Sequence, residues 1–366
     1  MSTSSATQAN LSSIMQEMAT YDHEQIVFCQ DKRTGLRAII AIHDTTLGPA
    51  LGGTRMWQYS NDAEALTDVL RLSRGMTYKA SISGLNLGGG KAVIIGDSRS
   101  QKSEALFRRF GKFVDSLGGK YITAEDVGIS PKDIEFVNME TNHVTGVPQE
   151  LGGAGDPSPV TAYGVYMGMK ASAKKLTGND SLNGKTIAVQ GVGHVGAYLV
   201  DYIAKEGAKI LITDIHADTI EAVKQKHPEC VYVEPEAIYS QPMDIYAPCA
   251  LGATVNDKTL EELKCSIIAG AANNQLANEE IHGKAVREKG ILYAPDFLIN
   301  AGGLINCYSE IYGLSTDASY KRAEGIYDTT LTIYQKSEQE QIPSYLAANK
   351  IAEERIESIA HLKRSR

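Results

Sequence analysis

The chain has 366 residues, 43% hydrophobic and 22% charged, with a formal net charge of -8. That length holds about two domains with separate cores, the composition is too apolar for a disordered chain, and the acidic excess argues against a general nucleic-acid binder. Cys29, Cys230, Cys249, Cys265 and Cys307, odd in number and never closer than sixteen residues, suggest neither a disulfide framework nor a CxxC metal site, and imply a reducing compartment.

The first residues, MSTSSATQAN, lack the apolar core of a secretion signal. No run approaches the roughly 18 apolar residues of a membrane span, so a cytoplasmic protein without membrane contact is expected. Short β-branched runs from Gln25 to Cys29 and Leu36 to His43 flank a turn-like cluster ending in Gly35, which predicts a hairpin. Between Glu64 and Ala80, Leu66, Val69, Leu70, Ser73, Met76 and Thr77 keep helical spacing, with Lys79 on the flank of the buried stripe.

The stretch KASISGLNLGGGKA sets Lys79 and Lys91 twelve apart, the second after Gly88-Gly89-Gly90. Glycines there let backbone or substrate come close to Lys91. A P-loop is excluded, because its pattern needs glycine and Ser or Thr where Leu85 and Ala92 stand. A surface lysine after a turn is the competing reading. The next helix is marked by Leu106, Phe107, Phe110, Phe113, Val114 and Leu117, and Gly118-Gly119 stops it. The strand that follows, Lys120 to Thr123, runs into Ala124-Glu125-Asp126, where a carboxylate faces the ligand crevice of an α/β fold.

Glycine and proline crowd Gly146 to Pro159, the composition of a hinge, and the domain boundary is placed there. The first domain is taken as residues 1-147, with a C-terminal helix from about 335 to 366 packing back on it, and the second as 148-334. Strand-like runs at Thr186 to Gln190, Lys209 to Thr213, Ile245 to Ala247, Ser266 to Ala269 and Ile291 to Ala294 alternate with helical segments, as in a parallel sheet with crossover helices. Asn179-Asp180-Ser181 has sequon spacing but reads as a polar loop. Asn300 to Gly303 reads as a second break, from which the chain starts back toward the first domain.

Gly191-Val192-Gly193-His194-Val195-Gly196 follows an apolar strand and opens a helix through Ala197, Leu199, Val200 and Ile203, and Asp214 closes the next strand eighteen residues after Gly196. Strand, glycine turn, helix and acid together make a dinucleotide fingerprint, in which the turn admits a pyrophosphate at the helix N-terminus. A carboxylate at 214 would hold the adenosine ribose and repel a 2′-phosphate, favouring NAD over NADP. His194 is read as a loop residue near phosphate. No HxxxH spacing occurs, and no metal is expected.

The motifs PALGGTRM (49-56), GMTYKASISGLNLGGGKAVIIGD (75-97), YITAEDVG (121-128), PSPVTAYGV (157-165), GVGHVG (191-196), GAANNQL (270-276) and PDFLINAGGLIN (295-306) resemble, in order, those of the glutamate/leucine/phenylalanine/valine dehydrogenase family, its leucine branch above all. The resemblance implies an N-terminal α/β domain for substrate binding and oligomerisation and a Rossmann-type dinucleotide-binding domain, with a cleft between them. It implies that Lys79 holds the substrate α-carboxylate, Lys91 is the base that activates water, and Asp126 relays protons. A lysine acts as base near neutral pH only when its pKa falls from about 10.4 to about 7 or 8, which a water-poor cleft and a second cation achieve together; the expected second cation is Lys79. Gly52 and Gly53 would line the carboxylate, Thr161 would lie near the nicotinamide amide, and Asn273 and Asn274 would border cofactor and substrate. A tight turn, a helix cap and a polar loop are their plainer readings.

The glutamate branch grips a side-chain carboxylate with a lysine and a serine where this chain has Leu51 and Cys307, so glutamate is disfavoured. Leu51, Ala124, Thr145, Leu304 and Cys307 would form an apolar pocket for a branched side chain, and one methylene alters discrimination by only ~1 to 3 kcal/mol. The expected reaction is reversible, NAD-dependent oxidative deamination of leucine, valine and isoleucine to 2-oxo acids and ammonia, by a homo-oligomer that family resemblance makes an octamer. Leucine-type members carry valines at 304 and 307 and an aspartate at 273, which leaves chain-length preference open. Phenylalanine needs more room than Leu304 offers. A 2-hydroxy-acid dehydrogenase would need a cleft histidine with carboxylate and arginine, a constellation not found, and a non-catalytic NAD-binding regulator would not need Lys91.

Overall fold

The structure, a computed structural model, describes residues 14-364, and the first ten residues read above lie outside them. Two compact units divide the chain: Met1–Gly155 with Arg355–Arg366, and Asp156–Glu354. The first holds a five-stranded sheet of β1 (Gln25–Asp31), β2 (Leu36–Asp44), β3 (Ala50–Trp57), β4 (Gly88–Ile95) and β5 (Tyr121–Glu125), in the order β1-β2-β4-β3-β5. β1 and β2 form the expected antiparallel hairpin. Its turn is closed by Arg33 N donating to Asp31 Oδ1 at 2.8 Å and by Gly35 at a φ of 75°, a conformation that glycine adopts without steric cost.

Helix α1 (Asp62–Ile82) starts where the Asn61 side chain accepts from Glu64 N at 2.9 Å. Its Ala65, Leu66, Val69 and Leu70 pack against Ile39, Ala41 and Val93 on one face of the sheet. On the other face, Leu106, Phe107, Phe110 and Val114 of α2 (Glu104–Asp115) and Ile134 and Val137 of α3 (Pro131–Asn138) pack with Ile40, Ala92, Ile94 and Tyr121. Complete burial of each such side chain contributes about 1.5 to 3 kcal/mol.

The glycine run before Lys91 is strand interior and not a turn. A Cβ on Gly88 would overlap Asp44 O, one on Gly89 the backbone N of Thr77 in α1, and one on Gly90 the ring of Tyr121. These glycines therefore admit the protein's own chain, the first of the two occupants expected.

In the second unit, β6 (Thr186–Gln190), β7 (Lys209–Thr213), β8 (Val231–Tyr232), β9 (Ile245–Pro248), β10 (Ile267–Ile268) and β11 (Leu292–Tyr293) form an all-parallel sheet in the order β11-β10-β9-β6-β7-β8. The chain builds outward from β6 to β8, then returns to lay β9 against β6. That reversal is a topological switch point, outside whose carboxyl ends ligands bind in open α/β sheets.

Asn300 to Gly303 is not a break in the chain's course. Beyond α6 (Ala217–Lys226), α7 (Asp257–Glu262) and α8 (Glu279–Glu288), Asn300 and Ala301 join two further helices, α9 (Asp296–Ile299) and α10 (Gly302–Ile311). Gly302 lacks a side chain because a Cβ would overlap the Val160 carbonyl of α4 (Ser158–Thr177). The second unit extends through Glu354, and only Arg355 onward belongs to the first, so the expected return from about 335 is also corrected. The last two helices are α11 (Thr316–Glu340) and α12 (Ser344–Arg364). Arg355 ties the tail to the first unit by donating to Leu85 O at 2.8 Å and Asn86 Oδ1 at 3.0 Å.

Candidate active site

Side chains alternate along a strand, so the parallel register of β3, β4 and β5 sets Leu51, Gly53 and Arg55, then Gly89 and Lys91, then Ala124, on the face that α1 covers, with Asp126 following just past β5. The β3–β4 ladder is interrupted at Gly52 and Gly53, beside Lys91. Lys91 is 7% exposed. Its Nζ lies 3.0 Å from Asp126 Oδ2, and Arg55 Nε lies 3.0 Å from that same oxygen. Arg55 Nη1 reaches Asp68 Oδ2 on α1 at 3.0 Å, and the Tyr59 hydroxyl donates to Asp68 Oδ2 at 2.6 Å. Charges thus alternate from Lys91 through Asp126 and Arg55 to Asp68.

Burial pushes the Asp126 carboxyl up, but the Lys91 ammonium and the Arg55 guanidinium outweigh it and hold the group below the ordinary aspartate value. Burial likewise pulls Arg55 down, and Asp126 and Asp68 more than reverse it. Burial, then the hydrogen bond to Asp68, pushes the Tyr59 phenol up. The cation sharing Asp126 with Lys91 is therefore Arg55. Lys79 stands three residues before the end of α1. Sequence reasoning missed Arg55, although it stands two residues beyond Gly53 and so on the same strand face.

Gly52 and Gly53 are accounted for by the fold alone: a Cβ on Gly52 would overlap Gly90 O, and one on Gly53 would overlap Glu125 O. Leu51 is 1% exposed on β3, and fully buried Thr145 donates its backbone N–H to Thr123 O at 2.8 Å. Leu304 and Cys307 stand three apart on α10 in the second unit, a spacing that puts them on one helix face.

The second unit builds the glycine turn on the carboxyl end of β6, with α5 (His194–Lys205) following it. Gly191 has a φ of 96° and a Cβ on it would overlap Ala250, while a Cβ on Gly196 would overlap Gly191 O. Gly193 differs: a Cβ there would meet nothing of the protein within 4 Å. No side chain caps α5, so its first amides are open to an anion. Asp214 accepts Val192 N at 2.8 Å and His216 N at 3.0 Å, which binds the acid to the glycine turn.

Thr161 Oγ1 donates to Pro157 O at 2.9 Å within the first turn of α4. Asn274 adopts a φ of 51°, and Asn300 Nδ2 donates to Asn273 Oδ1 at 2.7 Å and to Ala271 O at 3.1 Å, fixing that loop. In the sequence Asn300 reads only as the start of a break, without this bracing role. Among the described residues, no group of three or more His, Cys, Asp or Glu side chains is placed to hold a metal ion, and no helix is long and apolar enough to cross a membrane.

Family models match both units: residues 23–143 match "Glu/Leu/Phe/Val dehydrogenase, dimerisation domain", and residues 152–216 and 211–363 match "Glutamate/Leucine/Phenylalanine/Valine dehydrogenase". The chain belongs to the Glu/Leu/Phe/Val dehydrogenase family. It is 56% identical over 344 residues to a leucine dehydrogenase of Thermoactinomyces intermedius, covering 94% of this chain and 93% of that protein. A valine dehydrogenase of Streptomyces albus is 48% identical, covering 91% and 92%. Among solved structures, an L-tryptophan dehydrogenase from Nostoc punctiforme aligns with a TM-score of 0.85 at 44% identity, covering 95% of this chain and 99% of that one. As a member of this family the protein is an amino acid dehydrogenase, an oxidoreductase, and its two α/β units are the family's two domains.

Proposed function

We propose that the enzyme catalyses NAD-dependent oxidative deamination of branched-chain L-amino acids, leucine first with valine and isoleucine, reversibly giving 2-oxo acid and ammonia. The observation that carries this reading is the buried Lys91–Asp126 contact at 3.0 Å in a chain 56% identical to a leucine dehydrogenase. The Gly191–Gly196 turn, the open amides of α5 and Asp214 suit a dinucleotide, and Asp214 would disfavour a 2′-phosphate. When bound, NAD supplies the hydride acceptor.

The chain's own residues supply the rest. Lys79 holds the substrate carboxylate by charge, with the Gly52–Gly53 backbone beside it. Lys91 takes a proton from the water that adds to the imine carbon, and Asp126 passes protons to and from the substrate nitrogen as the carbinolamine collapses. Thr161, Asn273 and Asn274 orient the nicotinamide and the substrate amine. Leu51, Ala124, Thr145, Leu304 and Cys307 receive the side chain, with no cation for a glutamate carboxylate.

The match of residues 23–143 to a dimerisation domain supports a homo-oligomer, for which we favour eight copies, and five free thiols fit a reducing cytoplasm. A panel of L-amino acids with NAD and NADP, followed by NAD(P)H absorbance, tests the substrate and cofactor together. Leucine with NAD should give the highest kcat/KM. A preference for glutamate, phenylalanine or NADP would overturn the corresponding assignment.

A further inference from the structure

Arg55 is spent on two carboxylates. Its Nε lies 3.0 Å from Asp126 Oδ2 and its Nη1 3.0 Å from Asp68 Oδ2, with only 24% of the side chain exposed. Two nitrogens of one rigid plane fix both acids at once, which a lysine's single point charge cannot do. Asp68 is held in turn by the Tyr59 hydroxyl at 2.6 Å, so the arginine is braced from α1 and from the segment after β3.

We infer that Arg55 is a positioning residue for the reaction, aiming Asp126 and setting its charge while Asp68 and Tyr59 hold the arginine in place. This rests on the proposed role of Asp126 as proton relay. The shared oxygen is the central observation. Lys91 and Arg55 both engage Oδ2, so when Lys91 changes charge or moves toward substrate, Arg55 still holds the carboxylate ionised and oriented.

The groups around Asp126 are Lys91 from β4, Arg55 from β3 and Tyr121 from β5, with Asp68 and Tyr59 behind the arginine; α1, which covers this face, also carries Lys79. Removing a cation favours the protonated form of every acid or base it faces, and removing an anion does the reverse. Arg55→Met and Asp68→Asn are therefore expected to move the pH profile in opposite directions, a pattern that loss of packing alone does not produce.

The test uses the full-length enzyme with L-leucine and NAD, recording kcat and kcat/KM against pH for wild type, Arg55→Met, Arg55→Lys and Asp68→Asn. In Arg55→Met the acid limb should move up by about one pH unit or more, with turnover at neutral pH at least ~10-fold lower. Arg55→Lys should restore the limb but not kcat, because charge returns without the two-pronged geometry. Asp68→Asn should move the limb down by a few tenths of a unit, and decides the matter by its direction should Arg55→Met fail to fold. A stationary limb in folded Arg55→Met, or an upward shift in Asp68→Asn, would overturn the inference. Failure of the underlying reading would look different: near-normal turnover in Asp126→Asn.

Discussion

Two glycine-rich segments, one in each unit, look alike in the sequence and serve opposite ends. In Gly88–Gly90 every missing side chain is accounted for by the protein's own chain, Gly89 admitting α1 while Gly88 and Gly90 admit the Asp44 carbonyl and the Tyr121 ring, so the run is a packing solution. In Gly191–Gly196 the first and third glycines are likewise required by the fold, but a side chain at Gly193 would meet nothing. The fold gives no reason for that glycine, and close approach of the proposed dinucleotide's pyrophosphate would. Whether the fold explains a glycine separates structural from ligand-facing positions better than the motif does.

Substitutions by alanine break or sharpen this contrast. The largest effect is expected for Gly89→Ala, whose methyl would overlap the backbone of Thr77. Overpacking against backbone costs about 3 kcal/mol or more, and a chemical melt should show that loss or leave no soluble protein. Gly193→Ala should melt as wild type, with stability within about 0.5 kcal/mol, yet bind NADH at least ~10-fold more weakly by fluorescence titration, a loss of about 1.4 kcal/mol. A destabilised Gly193→Ala with normal NADH affinity would reverse the comparison.

Asp214→Ala should weaken NADH and narrow its advantage over NADPH. Because the carboxylate also accepts Val192 N and His216 N, it should in addition lower stability by about 1 kcal/mol. Unchanged cofactor preference would remove the ribose role and leave the turn-bracing one.

The smallest effect concerns the buried histidines beneath α1. His23 Nε2 contacts Ser73 Oγ at 2.7 Å and His43 Nδ1 contacts Thr77 Oγ1 at 2.8 Å. Burial, then neighbouring His43, lowers His23 to about 4. The unfolded chain takes up that proton near its ordinary value of about 6.5, so the contribution is fully present above that pH and is lost as pH falls toward 4. Urea melts between pH 7 and pH 5 should show a shallower decline in His23→Asn than in wild type, and parallel slopes would refute the coupling.

How much was legible follows from where the physics is local. β6 and β7 were read with their full bounds because an apolar run, a glycine turn and an amphipathic helix follow one another within a few residues. Lys91 and Asp126 were legible for a similar reason, one ending a glycine run and the other a strand. β3 and β4 went unread because glycine has weak strand preference, and their alternation emerges only once neighbours pair. Arg55 was lost with β3, since an arginine in an unrecognised strand has no face. β8, two residues long, is too short for periodicity. The division at Arg355 within α12 depends on contacts with Leu85 and Asn86, which helical spacing does not encode.

Lys91 carries the proposed base chemistry, and the most direct measurement is made on Lys91→Ala with L-leucine and NAD, alongside NADH titration of the same preparation. Turnover should fall by about 10²-fold to 10⁴-fold, the range for loss of a positioned acid–base group, while NADH affinity stays within about twofold, a difference under 0.5 kcal/mol. Near-normal turnover in protein that still binds NADH would contradict the assignment of the base and the mechanism built on it.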